Sequence, residues 1–385
     1  MSTTLSSYDL AERPAFRSTP EHAEPLAPLR LVRAKKAYTT RFLADRLSRS
    51  PQGFFLHSGT GVAPAPGDVV LARIAGVGQH PRLESPASRR QLLFLGDEIL
   101  VAYGHRYAPD QFLAEVPADL GHCHLIAAGG VAGLVTARHA LMSQPTQLAP
   151  VGLLADVHGL LNLSQLAPHR VGATGPGAVD SRGPLVIAVL GTSMNSGKST
   201  ALSCLVRGLT EAGLAVAAGK ATGTGSGNDP GMFVDAGAVK VLDFTDFGYP
   251  TTFQLDRGRV RGLFSDLVGA LSASAPDVVV VEIADGVYQG ETRALLADPV
   301  FQTGVDRVIF AAADALGAIA GLQVLHGANI DVAAVTGVLT SSPLAAREAA
   351  AATDVPVLNT ASLCESGVAV DLLPRTAREP AAASS

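Results

Sequence analysis

The chain has 385 residues, a formal net charge of −5, 47% hydrophobic and 16% charged residues, and three cysteines. That balance excludes a partner held by bulk positive charge, so neither nucleic acid nor an anionic membrane surface is expected. No apolar run approaches the ~20 residues that span a bilayer, no signal peptide is evident, and Cys123, Cys204 and Cys364 make no metal spacing or disulfide framework; a reducing cytoplasm is expected.

Residues 1–28 are rich in Ser, Ala, Pro and Glu and read as a flexible arm. Residues 29–170 form the expected N-terminal domain. Its basic stretch RLVRAKKAYTTRFLADRLSRS reads as a solvated helix face or as an anion-binding patch. GDVVLARIAGVG and GDEILVAYG are Val/Ile/Leu runs opened by Gly-Asp and closed by Gly, which predicts two strands of a small barrel or curled sheet. HCHLIAAGGVAGLVTARHALM predicts strand, glycine turn and helix, and TQLAPVGLLAD a further strand, so a small α/β part is expected near 119–170. Residues 171–183 read as a Gly/Pro/Ser linker, and 375–385 as a flexible tail.

From 184 to 374 strands and helices alternate. LVIAVLG, LAVAAGK, VKVLDF, DVVVVEIAD, RVIFAAA, VAAVTGVLT and PVLNT are mostly continuous apolar runs, as strands buried on both faces must be. The expected fold class is α/β, a mostly parallel sheet flanked by helices.

The first of these runs ends in Gly191-Thr192-Ser193-Met194-Asn195-Ser196-Gly197-Lys198-Ser199-Thr200. A glycine loop between a buried strand and a helix lets backbone N–H groups and the positive helix end meet a phosphate. Five residues, rather than the usual four, separate the outer glycines. Thr192, Asn195, Ser196, Gly197, Lys198, Ser199 and Thr200 are the candidate nucleotide-binding residues, with Lys198 reaching the outer phosphates and Ser199 reaching Mg²⁺.

Farther on, GKATGTGSGNDPGMF follows a strand that ends in Lys220. Loop glycines lose much conformational freedom on folding, and a close approach to an anion would justify them, a plain mobile loop being the alternative. Thr222, Gly223 and Asn228 are candidate substrate contacts, and Asp229 a candidate Mg²⁺ ligand. LDFTDFGYPTTF adds Asp246 and Tyr249 as substrate-facing candidates, a plain acidic turn being the alternative. EIADGVYQGETRALL places Glu282 and Asp285 where a buried strand ends. Ionised carboxylates there need a partner, either Mg²⁺ or a structural ion pair with Arg293 or Lys220. Gln289 is a further substrate candidate, and Arg293 a candidate clamp on phosphate or carboxylate. Lys198, Lys220 and Arg293 form the expected catalytic set.

With its longer spacing, the 191–199 loop resembles that of dethiobiotin synthetase and its relatives, among them the amidotransferase-type synthetases of cobalamin biosynthesis and the molybdopterin-guanine-dinucleotide accessory GTPases. Lys220, the loop Thr222–Gly227 and Asp229 stand where dethiobiotin synthetases have a strand-terminal lysine, a small-residue loop and an aspartate. Glu282 stands where that family places a Mg²⁺ ligand. The overall plan also resembles a bacterial family in which a variable N-terminal domain precedes a P-loop domain, some members being assigned as N-acetyltransferases of D-amino acids. The purine-reading Asn of dethiobiotin synthetases is missing; VTGVLTSSPLAA stands there, making Ser341 and Pro343 the base-side candidates and leaving ATP or GTP open. Met194 and Asn195 replace the second lysine of dimerising relatives.

These residues imply an ATP- and Mg²⁺-dependent enzyme that activates a small-molecule substrate by phosphoryl transfer, of kinase or ligase type. The alternatives are an N-acetyltransferase whose loop holds the pyrophosphate of acetyl-coenzyme A, and a nucleotide-switch GTPase or chaperone. A homodimer is the default oligomer for such a domain.

Overall fold

The computed structural model describes residues 23–59, 61–172 and 183–374. Most of the expected arm (1–22), most of the linker (173–182) and the tail (375–385) lie outside the described residues. Contacts divide the chain into two units. One takes Met1–Arg170 together with Thr224–Asn228 and Phe244–Asp256; the other takes Val171–Gly223, Asp229–Asp243 and Arg257–Ser385. The sequence-expected boundary at 171–183 therefore misses two segments that count with the first unit.

In the first unit, five strands close on themselves: Val69–Gly76, Glu98–Tyr103, Val131–Arg138, Cys123–Ala127 and Thr146–Asp156. The two Gly-Asp runs pair antiparallel, Val69 opposite Ala102 and Arg73 opposite Glu98. Their apolar runs are continuous because both faces are covered. Val70, Ala72, Ile99 and Val101 fill the barrel. Val69, Leu71 and Leu100 pack outside against Leu31, Leu43 and Leu47 of the helices Pro28–Arg33 and Arg41–Arg49. Each such fully buried aliphatic side chain contributes about 1.5–3 kcal/mol.

Two expectations are corrected in this unit. Ala23–Pro25, placed in the arm, is a strand paired with Phe55–His57. Val131–Arg138, expected as helix, is a strand bonded on one side to Cys123–Ala127 and on the other to Phe112–Glu115. Its Ala and Leu favour helix while Val131, Val135 and Thr136 favour strand, and barrel closure, which satisfies its backbone in extended form, decides between them. The 119–170 segment is thus mainly β, with one short helix at Leu163–Leu166.

The second unit is an α/β layer structure. Its strands are β1 (Leu185–Gly191), β2 (Val216–Lys220), β3 (Lys240–Asp243), β4 (Val278–Glu282), β5 (Arg307–Ala311) and β6 (Val332–Thr336). They form one sheet in the order β3-β2-β4-β1-β5-β6, every neighbouring pair parallel. PVLNT, expected as a seventh strand, makes only an isolated bridge from Val357 to Val335. Helix α1 (Lys198–Glu211) buries Ala201, Leu202, Leu205, Val206 and Leu209, a spacing that keeps one face on the sheet. Among the described residues, no helix is long and apolar enough to cross a membrane.

Candidate functional site

The parallel register sets the site. Lys220 is the Cα partner of Glu282, and Glu282 that of Val189 on β1. Three strands therefore deliver a lysine, a glutamate and the 192–197 loop to one level at their carboxyl ends, where open α/β sheets bind ligands.

Gly197 starts α1 at φ +98°, a left-handed conformation that a side chain resists. The loop then places Lys198 and Ser199 in the first turn. Lys198 is 6% exposed, and its ammonium donates to the Ser193 carbonyl at 2.7 Å. Burial lowers its pKa; Glu282 opposes that shift and Lys220 adds to it. Ser199 Oγ donates to Glu282 Oε2 at 2.8 Å. The other carboxylate oxygen, Oε1, faces Lys220 Nζ at 3.1 Å. Lys220 also pairs with Asp229 on the first turn of the helix Asn228–Asp235. Burial pushes the Lys220 pKa down, but Glu282 and Asp229 together raise it, so the ammonium stays charged.

Asp285 follows at φ +64°, and burial pushes its carboxyl up to about 6 against the pull of Lys198 and Lys220. Its loop is pinned on two sides. Thr222, 4% exposed, accepts from the Ala284 amide at 2.8 Å, and a Cβ on Gly286 would lie 2.2 Å from the Thr192 carbonyl oxygen.

Other sequence-derived candidates are placed differently. Gln289 caps a helix, accepting from the Thr292 amide at 2.8 Å. Arg293, on the helix Gly290–Leu296, is exposed, with no hydrogen bond or ion pair joining its side chain to the lysines and acids above. Asn228, Asp246 and Tyr249 count with the barrel unit, where Asp246 pairs with Arg41 at 2.7 Å. Asn195, Thr200, Ser341 and Pro343 are exposed, and Gly223 has φ +137°. A feature absent from the sequence reading is a hydroxyl cluster after β6. Thr336 and Thr340 meet Thr360 at 2.9 and 3.2 Å, and Thr360 accepts from the Gly337 amide. The next amide, Val338, donates to the Ser196 carbonyl at 3.0 Å, which holds the loop from behind. The signal available in the sequence was Thr336-Gly337 ending a buried strand.

Two buried hydroxyls of the loop, Thr192 Oγ1 and Ser196 Oγ, have no hydrogen-bond partner. Leaving such groups unmade costs about 1–3 kcal/mol each. Together with the buried Lys198 ammonium they fit a polyphosphate. Ser199 and Glu282 are oxygen donors of the hard type that Mg²⁺ takes, usually one or two from protein with the rest from phosphate and water. Among the described residues, no three His, Cys, Asp or Glu side chains group into a metal cage.

No family model matches this chain, and no curated protein does. Solved structures similar to it include the signal recognition particle 54 kDa protein of Aeropyrum pernix K1 in complex with GDP, at 16% identity and TM-score 0.35. That match covers 53% of this chain and 47% of that one, about half its length. The signal recognition particle receptor FtsY of Elizabethkingia anophelis in complex with GDP is similar at 17% identity and TM-score 0.33, over 53% of this chain and 68% of that one. The cell division protein FtsY of Thermotoga maritima is similar at 17% identity and TM-score 0.30, over 40% and 52%. The assignment of the second unit to the P-loop α/β class rests on its own strand order and loop geometry.

Proposed function

We propose that the sheet unit binds a nucleoside triphosphate with Mg²⁺ and transfers its terminal phosphoryl group to a small-molecule acceptor. The observation that carries this reading is the Ser199–Glu282 hydrogen bond, one residue after a buried Lys198 and one strand from Lys220. Ser199 and Glu282 would hold Mg²⁺, which supplies charge neutralisation at phosphate oxygens. The loop amides and Lys198 bind and orient the phosphates. Phosphoryl transfer needs mainly positioning and charge compensation, and Lys220 supplies a second fixed cation. The resemblance of 191–199, Lys220 and Glu282 to dethiobiotin synthetases supports an acceptor other than water.

The test measures phosphate release and acceptor phosphorylation from ATP and from GTP, with and without Mg²⁺, against a metabolite panel. Mg²⁺-dependent transfer supports the reading. Stabilisation by acetyl-coenzyme A alone, with none from either triphosphate, overturns it.

A nucleotide switch draws on a separate observation. Gly286 lies against the Thr192 carbonyl and Ala284 is clasped by Thr222, so the 283–286 segment is coupled to the phosphate loop. Hydrolysis that is independent of every acceptor, with proteolysis of 283–289 that depends on the bound nucleotide, would favour the switch.

A further inference from the structure

Within the barrel unit, a cavity of about 520 Å³ is lined by Arg82, Arg90, Arg106, Gln79, Gln111 and His80, with Glu84 and the backbone of the 128–129 and 224–226 segments completing its walls. Its charge is opposite in sign to that of the whole chain: three arginines stand against one carboxylate in a protein of net charge −5. Glu84, 4% exposed, is engaged, accepting from the Gly227 amide at 2.8 Å and from Ser226 Oγ at 3.1 Å. Arg106, 6% exposed, is fixed by the Ile126 carbonyl and by Gln111 Oε1 at 2.9 Å. Arg82 and Arg90 lie on the two-stranded ribbon Arg82–Glu84 and Arg90–Leu92, whose register puts Arg90 opposite Glu84 and Arg82 on the same face. Both arginines are exposed, and neither makes an ion pair among the described residues.

We infer that this cavity is a binding site for a small carboxylate-bearing molecule, held by Arg82 and Arg90 with Arg106 and the Gln79 and Gln111 amides around it. Arginine's planar fork matches a carboxylate through two parallel hydrogen bonds. The same fork matches a phosphate, but phosphate sites commonly add free backbone amides to it. Here the amides of Gly225 and Gly227 are committed to the Pro250 carbonyl and to Glu84. The wall is also tightly built, since a Cβ on Gly129 would lie 1.9 Å from the Gly225 carbonyl oxygen. His80 adds no charge at neutral pH, because burial and then Arg106 push its pKa down to about 4. The inference is independent of the phosphoryl-transfer reading.

The test is titration calorimetry of the full chain with succinate, citrate and inorganic phosphate. One of the two carboxylates is expected to bind more tightly than phosphate. The double variant Arg82→Gln/Arg90→Gln, whose exposed side chains leave the fold intact by circular dichroism and melting temperature, is expected to bind it at least about tenfold more weakly. Arg106→Lys, which keeps the charge and loses the fork, is expected to weaken it as well. Absence of binding by both carboxylates, tighter binding of phosphate, or an unchanged affinity in the double variant overturns the inference.

Discussion

In the barrel unit, Asp68 and Asp156 have separate, satisfied partners. Asp68 accepts from the Ala65 amide at 2.9 Å and from Asn162 at 3.0 Å, and Asp156 pairs with Arg46 at 2.6 Å and accepts from the His158 amide. In the sheet unit buried and half-buried charges converge. Glu282 serves both Ser199 and Lys220, Lys198 has a carbonyl for its partner, and Asp285 is held near the ammoniums with its own pKa displaced. The first pattern closes a fold. The second gathers charge and two buried loop hydroxyls, Thr192 Oγ1 and Ser196 Oγ, around one strand-to-helix junction, and that convergence is what the nucleotide-binding proposal rests on.

Four substitutions test the contrast. Lys198→Ala is expected to lower triphosphate turnover by about 10²–10³-fold or more while melting remains cooperative, since it removes one preorganised charge from the transferred group. Steady-state phosphate release and a thermal scan check this; a variant that unfolds would make Lys198 a structural residue. Glu282→Gln leaves Lys220 with Asp229 alone. It is expected to destabilise the ligand-free protein by about 3 kcal/mol in urea titration, the low end for breaking a buried pair.

Asp285→Asn should stabilise the ligand-free protein by about 3 kcal/mol at pH 8, with no difference below pH ~3. The sign follows from the raised pKa. The folded state holds the Asp285 proton more tightly than the unfolded state, so the wild type loses stability as pH rises from the ordinary carboxyl value through about 6. An Asn variant does not. Equal stability at both pH values would remove Asp285 from the set of interacting charges. Asp331→Asn serves as the control. Its partner Arg307 is met at an exposed position, with the Asp331 side chain 69% accessible, so stability should change by less than ~1 kcal/mol.

The sequence made the sheet unit legible because its evidence is local. Continuous apolar runs mark strands covered on both faces, and Gly197-Lys198-Ser199 sits between a strand and a helix wherever the chain folds. The adjacency of Lys220 and Glu282 needed only the parallel order of their strands. What stayed hidden depended partly on distant partners and partly on turn and cap contacts close in the chain. Gly129-Gly130 followed by Val131, Val135 and Thr136 is a hairpin signal for pairing with Cys123–Ala127, whereas the second partner, Phe112–Glu115, lies farther back in the chain. Asp246 reads as a substrate contact until Arg41, far back in the chain, is found stacked on Tyr38 and paired with it. Gln289 looks free until its amide oxygen is seen capping Thr292. Thr360, read as the end of a strand, belongs instead to the hydroxyl cluster beside Gly337.

The phosphoryl-transfer proposal requires the 191–199 loop and Glu282 together to grip a magnesium-bound polyphosphate. Equilibrium binding of non-hydrolysable ATP and GTP analogues, titrated with and without Mg²⁺ on the wild type and on Ser199→Ala, tests it most directly. The expected result is binding of at least one analogue that tightens with Mg²⁺ in the wild type and loses that gain in the variant. Binding indifferent to Mg²⁺, or a magnesium gain equal in both proteins, would contradict it.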